Sequence, residues 1–129
     1  MTQSDTVTGP ELEQLIRLGM GGERLDVIEA LLRTQLVLPS GGAIGPHFEG
    51  FDPVLFDRAG TPMLAVFTSL ERTAPVTGLA RYALTISGRD LVLRMSGGYG
   101  VVLNPGHDVG IEILPETVAT IVSRLREGA

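Results

Sequence analysis

Cysteine is missing from all 129 residues, which excludes disulfides, thiolate nucleophiles and Cys-ligated zinc. Histidine is scarce too: His47 and His107 stand among scattered carboxylates at no recognised ligand spacing, so neither a metal nor another cofactor is expected. Positive charge is in the minority, with 10 Lys and Arg against 15 Asp and Glu, and the net charge of −5 opposes binding to phosphate backbones and anionic bilayers. Nucleic acid is therefore not expected as a partner. No apolar run approaches the roughly 18–20 residues needed to span a bilayer. The opening MTQSDTVTGPELEQ also lacks a basic segment followed by an apolar one, so no membrane insertion is expected, and the expected address is the cytoplasm.

What is present describes a folded domain. Hydrophobic residues make up 43% and charged residues 19%, a balance far from that of disordered chains, and the length suits one core. The composition and pattern predict a single α+β domain, with a mostly antiparallel sheet packed by helices; only residues 1–7 are expected to be flexible. Thr8 and Glu11 form a capping-box pattern before Leu12, Leu15 and Ile16, and Gly21 and Gly22 stop the repeat. Leu25, Ile28, Leu31 and Leu32 continue at helical spacing opposite Glu23, Asp26 and Glu29, completing an N-terminal helical pair.

After the apolar run QLVLP, the Gly- and Pro-rich SGGAIGPHFEGFDP reads as a loop. Val54–Phe56 and Met63–Phe67 read as a hairpin joined by DRAGTP, with Pro62 at a strand's first position. Thr68 and Glu71 repeat the capping-box pattern, predicting a short helix over SLERTA that ends before Pro75. RYALTI is a strand. SGRDLVLRM fits a helix capped by Ser87 and Asp90 or a second hairpin arm, and the helix is favoured. Tyr99–Asn104 and Val109–Ile113 read as adjacent strands, and the second alternates Val109, Ile111 and Ile113 against Gly110 and Glu112. Pro115 then opens an amphipathic C-terminal helix carrying Val118, Ile121, Val122 and Leu125 on one face, with Gly128 beyond it.

Asn104-Pro105-Gly106-His107 fits a type II turn, since proline fixes φ at the second place and glycine accepts positive φ at the third. The Asn104 side chain has local backbone groups within reach. His107 and Asp108 invite an acid–base or metal reading, but neighbours in an extended segment point to opposite sides, so adjacency alone makes no dyad. SGGAIG and GMGGE lack the Lys-Ser/Thr of a phosphate loop, and Ser40, Ser69, Ser87 and Ser96 lack a nucleophile-elbow context. No catalytic residue is expected.

The run LVLPSGG…DPVLFDRAGTPMLAVFTSLER…LTISGRDLVLRMSGGYGVVLNPGHDVGIEILPETVATIV resembles the N-terminal domain of the SseB family, the enhanced-serine-sensitivity group also described as type III secretion-associated. The features that carry the resemblance are Phe67-Thr68-Ser69 before Glu71, the Ser87–Met95 segment, and Asn104-Pro105-Gly106 followed by Val109–Glu112 and the last helix. It covers roughly residues 24–126. It implies an α+β domain with a largely antiparallel sheet, a helix over SGRDLVLRM and no established catalytic residues. A name and a fold do not by themselves establish function.

Two functional readings stay open. One is a non-catalytic interaction module that acts on another polypeptide, an unidentified protein or a second copy of this chain in a homodimer. Phe48 and Phe51 motivate it, since they lie in a loop remote from periodic elements. The other is a small-molecule or enzymatic pocket formed by the 40–51 loop and the 104–108 turn, with His47, Asn104, His107 and Asp108 as polar contacts.

Overall fold

A computed structural model describes residues 6–18, 24–95 and 97–127. The expected glycine stop at Gly21 and Gly22, the positions of Glu23, Ser96 and Gly128, and the outward or inward facing of Leu25 and Asp26 lie outside what is described.

Helices α1 (Gly9–Leu18) and α2 (Arg24–Leu32) form the N-terminal pair. The capping box closes at both ends: the Glu11 amide donates to Thr8 Oγ1 at 3.2 Å, and the Thr8 amide to Glu11 Oε1 at 2.9 Å. Val7 bridges to Thr34 and donates its amide to the Arg33 carbonyl at 3.0 Å. Strand β1 (Gln35–Ser40) follows, then a loop, then β2 (Leu55–Arg58) and β3 (Thr61–Val66). Beyond a 3₁₀ helix (Glu71–Val76) come β4 (Tyr82–Ser87), helix α3 (Gly88–Arg94), β5 (Gly100–Leu103), β6 (Ile111–Ile113) and helix α4 (Pro115–Glu127).

The strand order is β2-β3-β5-β6, with β1 and β4 paired beside it, and Val37 of β1 bridges to Phe67 at the end of β3. Antiparallel pairings dominate, as expected; β3 and β5 are parallel, because the segment from residue 67 to 99 crosses over between them. Alternation along three strands divides the core in two. Leu36 and Leu38, Leu64 and Val66, and Val101 and Leu103 face the helices, whereas Val37, Ala65 and Phe67 face a smaller cluster with Val54, Val76 and Ala80. Covered on both faces, these strands read in sequence as continuous apolar runs. The helices form one layer, α1 on α2, α2 on α3, α3 on α4, with α4 against β5.

Three local expectations need correction. The first hairpin turns on Ala59-Gly60 alone, at φ 51° and 91°, so Asp57 and Arg58 belong to β2 and Pro62 is the second residue of β3. Positive φ at both turn residues matches the right-handed twist of the strands, which a longer DRAGTP loop would not need. The segment after β3 is a 3₁₀ helix with Pro75 inside it, and Thr68 does not cap it. Ser69 Oγ accepts the Arg72 amide at 3.3 Å instead, and the Thr68 hydroxyl donates to Glu13. Val109 and Gly110 precede β6 rather than forming part of it, although Val109 is fully buried. The helix over Gly88–Arg94 is present, with Ser87 accepting the Asp90 amide at 3.1 Å.

Candidate functional site

The turn after β5 takes its expected form. The His107 amide donates to the Asn104 carbonyl at 3.1 Å, and Gly106 sits at φ 89°, which completes a type II turn around Pro105. The Asn104 side chain does more than the local capping its sequence suggests. It is 1% exposed, and its backbone takes φ 55°, a left-handed value that asparagine accepts better than most residues. Its Oδ1 accepts the Thr68 amide at 3.0 Å, and its Nδ2 donates to the Val109 carbonyl at 2.9 Å and to Thr68 Oγ1 at 3.2 Å. One side chain thus joins the end of β3 to both sides of the turn.

His107 packs edge-on against Phe67, with ring centroids 6.4 Å apart. Its Nε2 lies 2.7 Å from the Arg72 carbonyl, and its Nδ1 lies 3.3 Å from Arg72 Nη1. A carbonyl can only accept and a guanidinium can only donate, so Nε2 carries the proton and Nδ1 accepts. Arg72 in turn forks Glu13 of α1, donating from Nε at 3.0 Å and Nη2 at 2.8 Å, and the Thr68 hydroxyl donates to the same carboxylate. The Arg72 fork is the largest influence holding the Glu13 carboxyl below its ordinary range; burial opposes it, and Thr68 and the charges of Arg72 and Arg17 reinforce it. The Arg72 guanidinium is held more firmly protonated, first by Glu13 and also by the nearby charges of Asp108 and Glu71.

This cluster borders a cleft of about 350 Å³ lined by Gly9, Pro10, Glu13, Thr68, Ser69, Glu71, Arg72 and His107. Its groups are turned on one another. Both His107 nitrogens are occupied by Arg72, Ser69 Oγ by a backbone amide, and the guanidinium fork by Glu13; the Thr68 hydroxyl donates to the Glu13 carboxylate, whose basicity the Arg72 fork lowers. Asp108 is exposed and is not His107's hydrogen-bond partner. Among the described residues no group of three or more His, Cys, Asp or Glu could hold a metal ion.

The loop 41–52 has a different character. Its ends are tied where the Gly41 amide meets the Asp52 carbonyl at 2.8 Å. The buried Ser40 hydroxyl donates to Gly42 O at 2.7 Å and accepts the amides of Gly42 and Asp52 at 3.3 and 3.0 Å. A compact loop closed at its neck results. Phe48 sits within it at φ 65°, with its amide on the Gly45 carbonyl and its own carbonyl accepting from Phe51. Phe48 and Phe51 do not stand apart from the core, as their distance from periodic elements suggested: both are half-buried and pack against the main cluster.

They line a cavity of about 480 Å³. Its floor is the core itself, made by the buried Leu38, Leu64, Ile86 and Leu91, and its rim is the half-buried Phe48, Phe51, Pro53, Leu84, Met95 and Tyr99. Arg94, the last residue of α3, is the one charged residue among the described residues of the lining, and its guanidinium carbon lies 4.6 Å from the Phe48 ring centroid. His47 is exposed and is not part of this lining; its amide donates to Glu49 Oε1 at 2.8 Å.

The pocket envisaged between the 40–51 loop and the 104–108 turn is therefore divided. The aromatic cavity contains none of Asn104, His107 and Asp108, and those three line another cleft, with Arg58 and Glu112, that contains no residue of the loop. Sequence reasoning missed Glu13, Thr68 and Arg72 in one place and Leu84, Arg94, Met95 and Tyr99 in the other. No local pattern could have found the Glu13–Arg72 pair, whose partners are far apart in sequence. Arg94 reads in sequence as an ordinary basic residue closing a helix.

No helix among the described residues is long and apolar enough to cross a membrane. Neither the curated proteins nor the solved structures contain a match to the chain. The sequence profile of the SseB protein N-terminal domain does match, over residues 12–120, from the first core residue of α1 into α4. With that match spanning most of the two-core sheet and its helical layer, the chain belongs to the SseB N-terminal domain family.

Proposed function

We propose that this domain is a non-catalytic interaction module that holds an apolar side chain of another polypeptide in the cavity beneath the 41–52 loop. The observation that carries this reading is the character of that cavity: a core floor with a rim of half-buried apolar side chains. Inserting a leucine or phenylalanine there withdraws apolar surface on both sides from water, worth about 1.5–3 kcal/mol per side chain when fully buried. The polar cluster supports the same reading from the other side, since its hydrogen-bonding groups are engaged within the fold and the carboxylate that meets the Thr68 hydroxyl, Glu13, is made a weaker base by the Arg72 fork.

Selection of random peptides displayed on phage tests this reading. We expect peptides centred on bulky apolar residues to be enriched on the native domain and lost on a Phe48→Ser/Phe51→Ser variant whose circular dichroism is unchanged. Equal enrichment on both proteins would reject the cavity as the binding site.

A further inference from the structure

Arg94 gives that cavity a chemical preference. Its guanidinium lies over the Phe48 ring with the carbon 4.6 Å from the centroid, so one face of the cation is occupied. The N–H groups of a guanidinium project in its plane and can still donate from the edge. The ion pairs among the described residues are Arg58–Glu112 and Glu13–Arg72, and neither involves Arg94. Two features fix the spot. Phe48 holds its ring there from a left-handed backbone at φ 65°, a conformation that costs energy for a side chain of this kind. Among the described residues of the lining, Arg94 is also the only charged one, and the rest are apolar except for the Tyr99 hydroxyl.

We infer that the cavity selects a peptide in which a bulky apolar residue is followed closely by a carboxylate, the apolar side chain entering the cavity and the carboxylate pairing with Arg94. This rests on the peptide-binding reading above and adds its charge specificity. Complementarity argues for an acidic partner against the overall field. A chain of net charge −5 attracts cations at long range, so a preference for an anion at this rim must arise locally, from the Arg94 guanidinium.

Fluorescence anisotropy with three labelled octapeptides tests the inference. Each carries Leu-Phe, followed by two aspartates, two asparagines or two lysines. We expect the aspartate peptide to bind the native domain roughly three- to tenfold more tightly than the asparagine form. That margin should vanish in Arg94→Gln, and also at about 1 M salt, where the screening length falls to roughly 3 Å. Equal binding of the aspartate and asparagine peptides would overturn the charge preference while leaving the cavity as a peptide site. Tighter binding of the lysine peptide, or displacement of every peptide by decanoate at lower concentration, would also overturn it. No binding by any of the three would overturn both readings.

Discussion

Asn104 is the residue on which the turn region depends most. An amide side chain at 1% exposure satisfies the Thr68 N–H and the Val109 carbonyl at once, from a backbone position at φ 55°. Replacing it with alanine leaves both groups without that partner and loses asparagine's tolerance of the left-handed region at φ 55°. We expect Asn104→Ala to lower the unfolding free energy by about 2–4 kcal/mol, seen as a lower urea midpoint at unchanged slope. Asn104→Gly should cost less, because it removes the hydrogen bonds but keeps the conformational freedom. Glu13 makes a second prediction at this scale. Its folded-state carboxyl lies below the ordinary 4.5, so it contributes stability above that pH and loses it as pH falls through the lowered value. Urea midpoints measured from pH 6 downwards should therefore fall less steeply below pH ~4.5 in Glu13→Gln than in the native chain. A slope identical in both would show that the Arg72 fork adds nothing.

Local chemistry made several elements readable, and tertiary demands hid others. The Thr8–Glu11 box, the Ser87 cap and the Pro105-Gly106 turn each act within a few residues, so their meaning survives in the sequence alone. Thr68 carried the same capping signature as Thr8, yet its hydroxyl serves Glu13, a partner that no local window contains. The hairpin turn was misjudged because Ala59 is an unusual residue for a position at φ 51°. That position prefers asparagine or glycine, so Ala59→Asn should raise stability by about 0.5–1 kcal/mol in urea unfolding. At the neck of the 41–52 loop, Ser40→Ala should cost about 1–3 kcal/mol by removing the buried hydroxyl that accepts the Asp52 amide and ties the loop's two ends. Faster amide exchange confined to residues 41–52 would identify the loop as the part affected.

For the whole molecule, the α+β class and the helical layer follow from periodicity, because an amphipathic stripe must find a sheet to cover it. The candidate site was legible only in fragments. Phe48 and Phe51 signalled an apolar surface, but the walls they meet come from β1, β3, β4 and α3, and only the assembled fold unites them with Arg94. His107 and Asp108 drew the eye as chemistry, whereas the fold uses His107 to join Arg72 to Phe67. If the cavity is where the domain meets its partner, a selected peptide added to the ¹⁵N-labelled chain should perturb the amide resonances around Phe48, Phe51, Leu84, Met95 and Tyr99. Shifts centred instead on Glu13, Arg72 and His107, with the aromatic loop silent, would contradict that assignment.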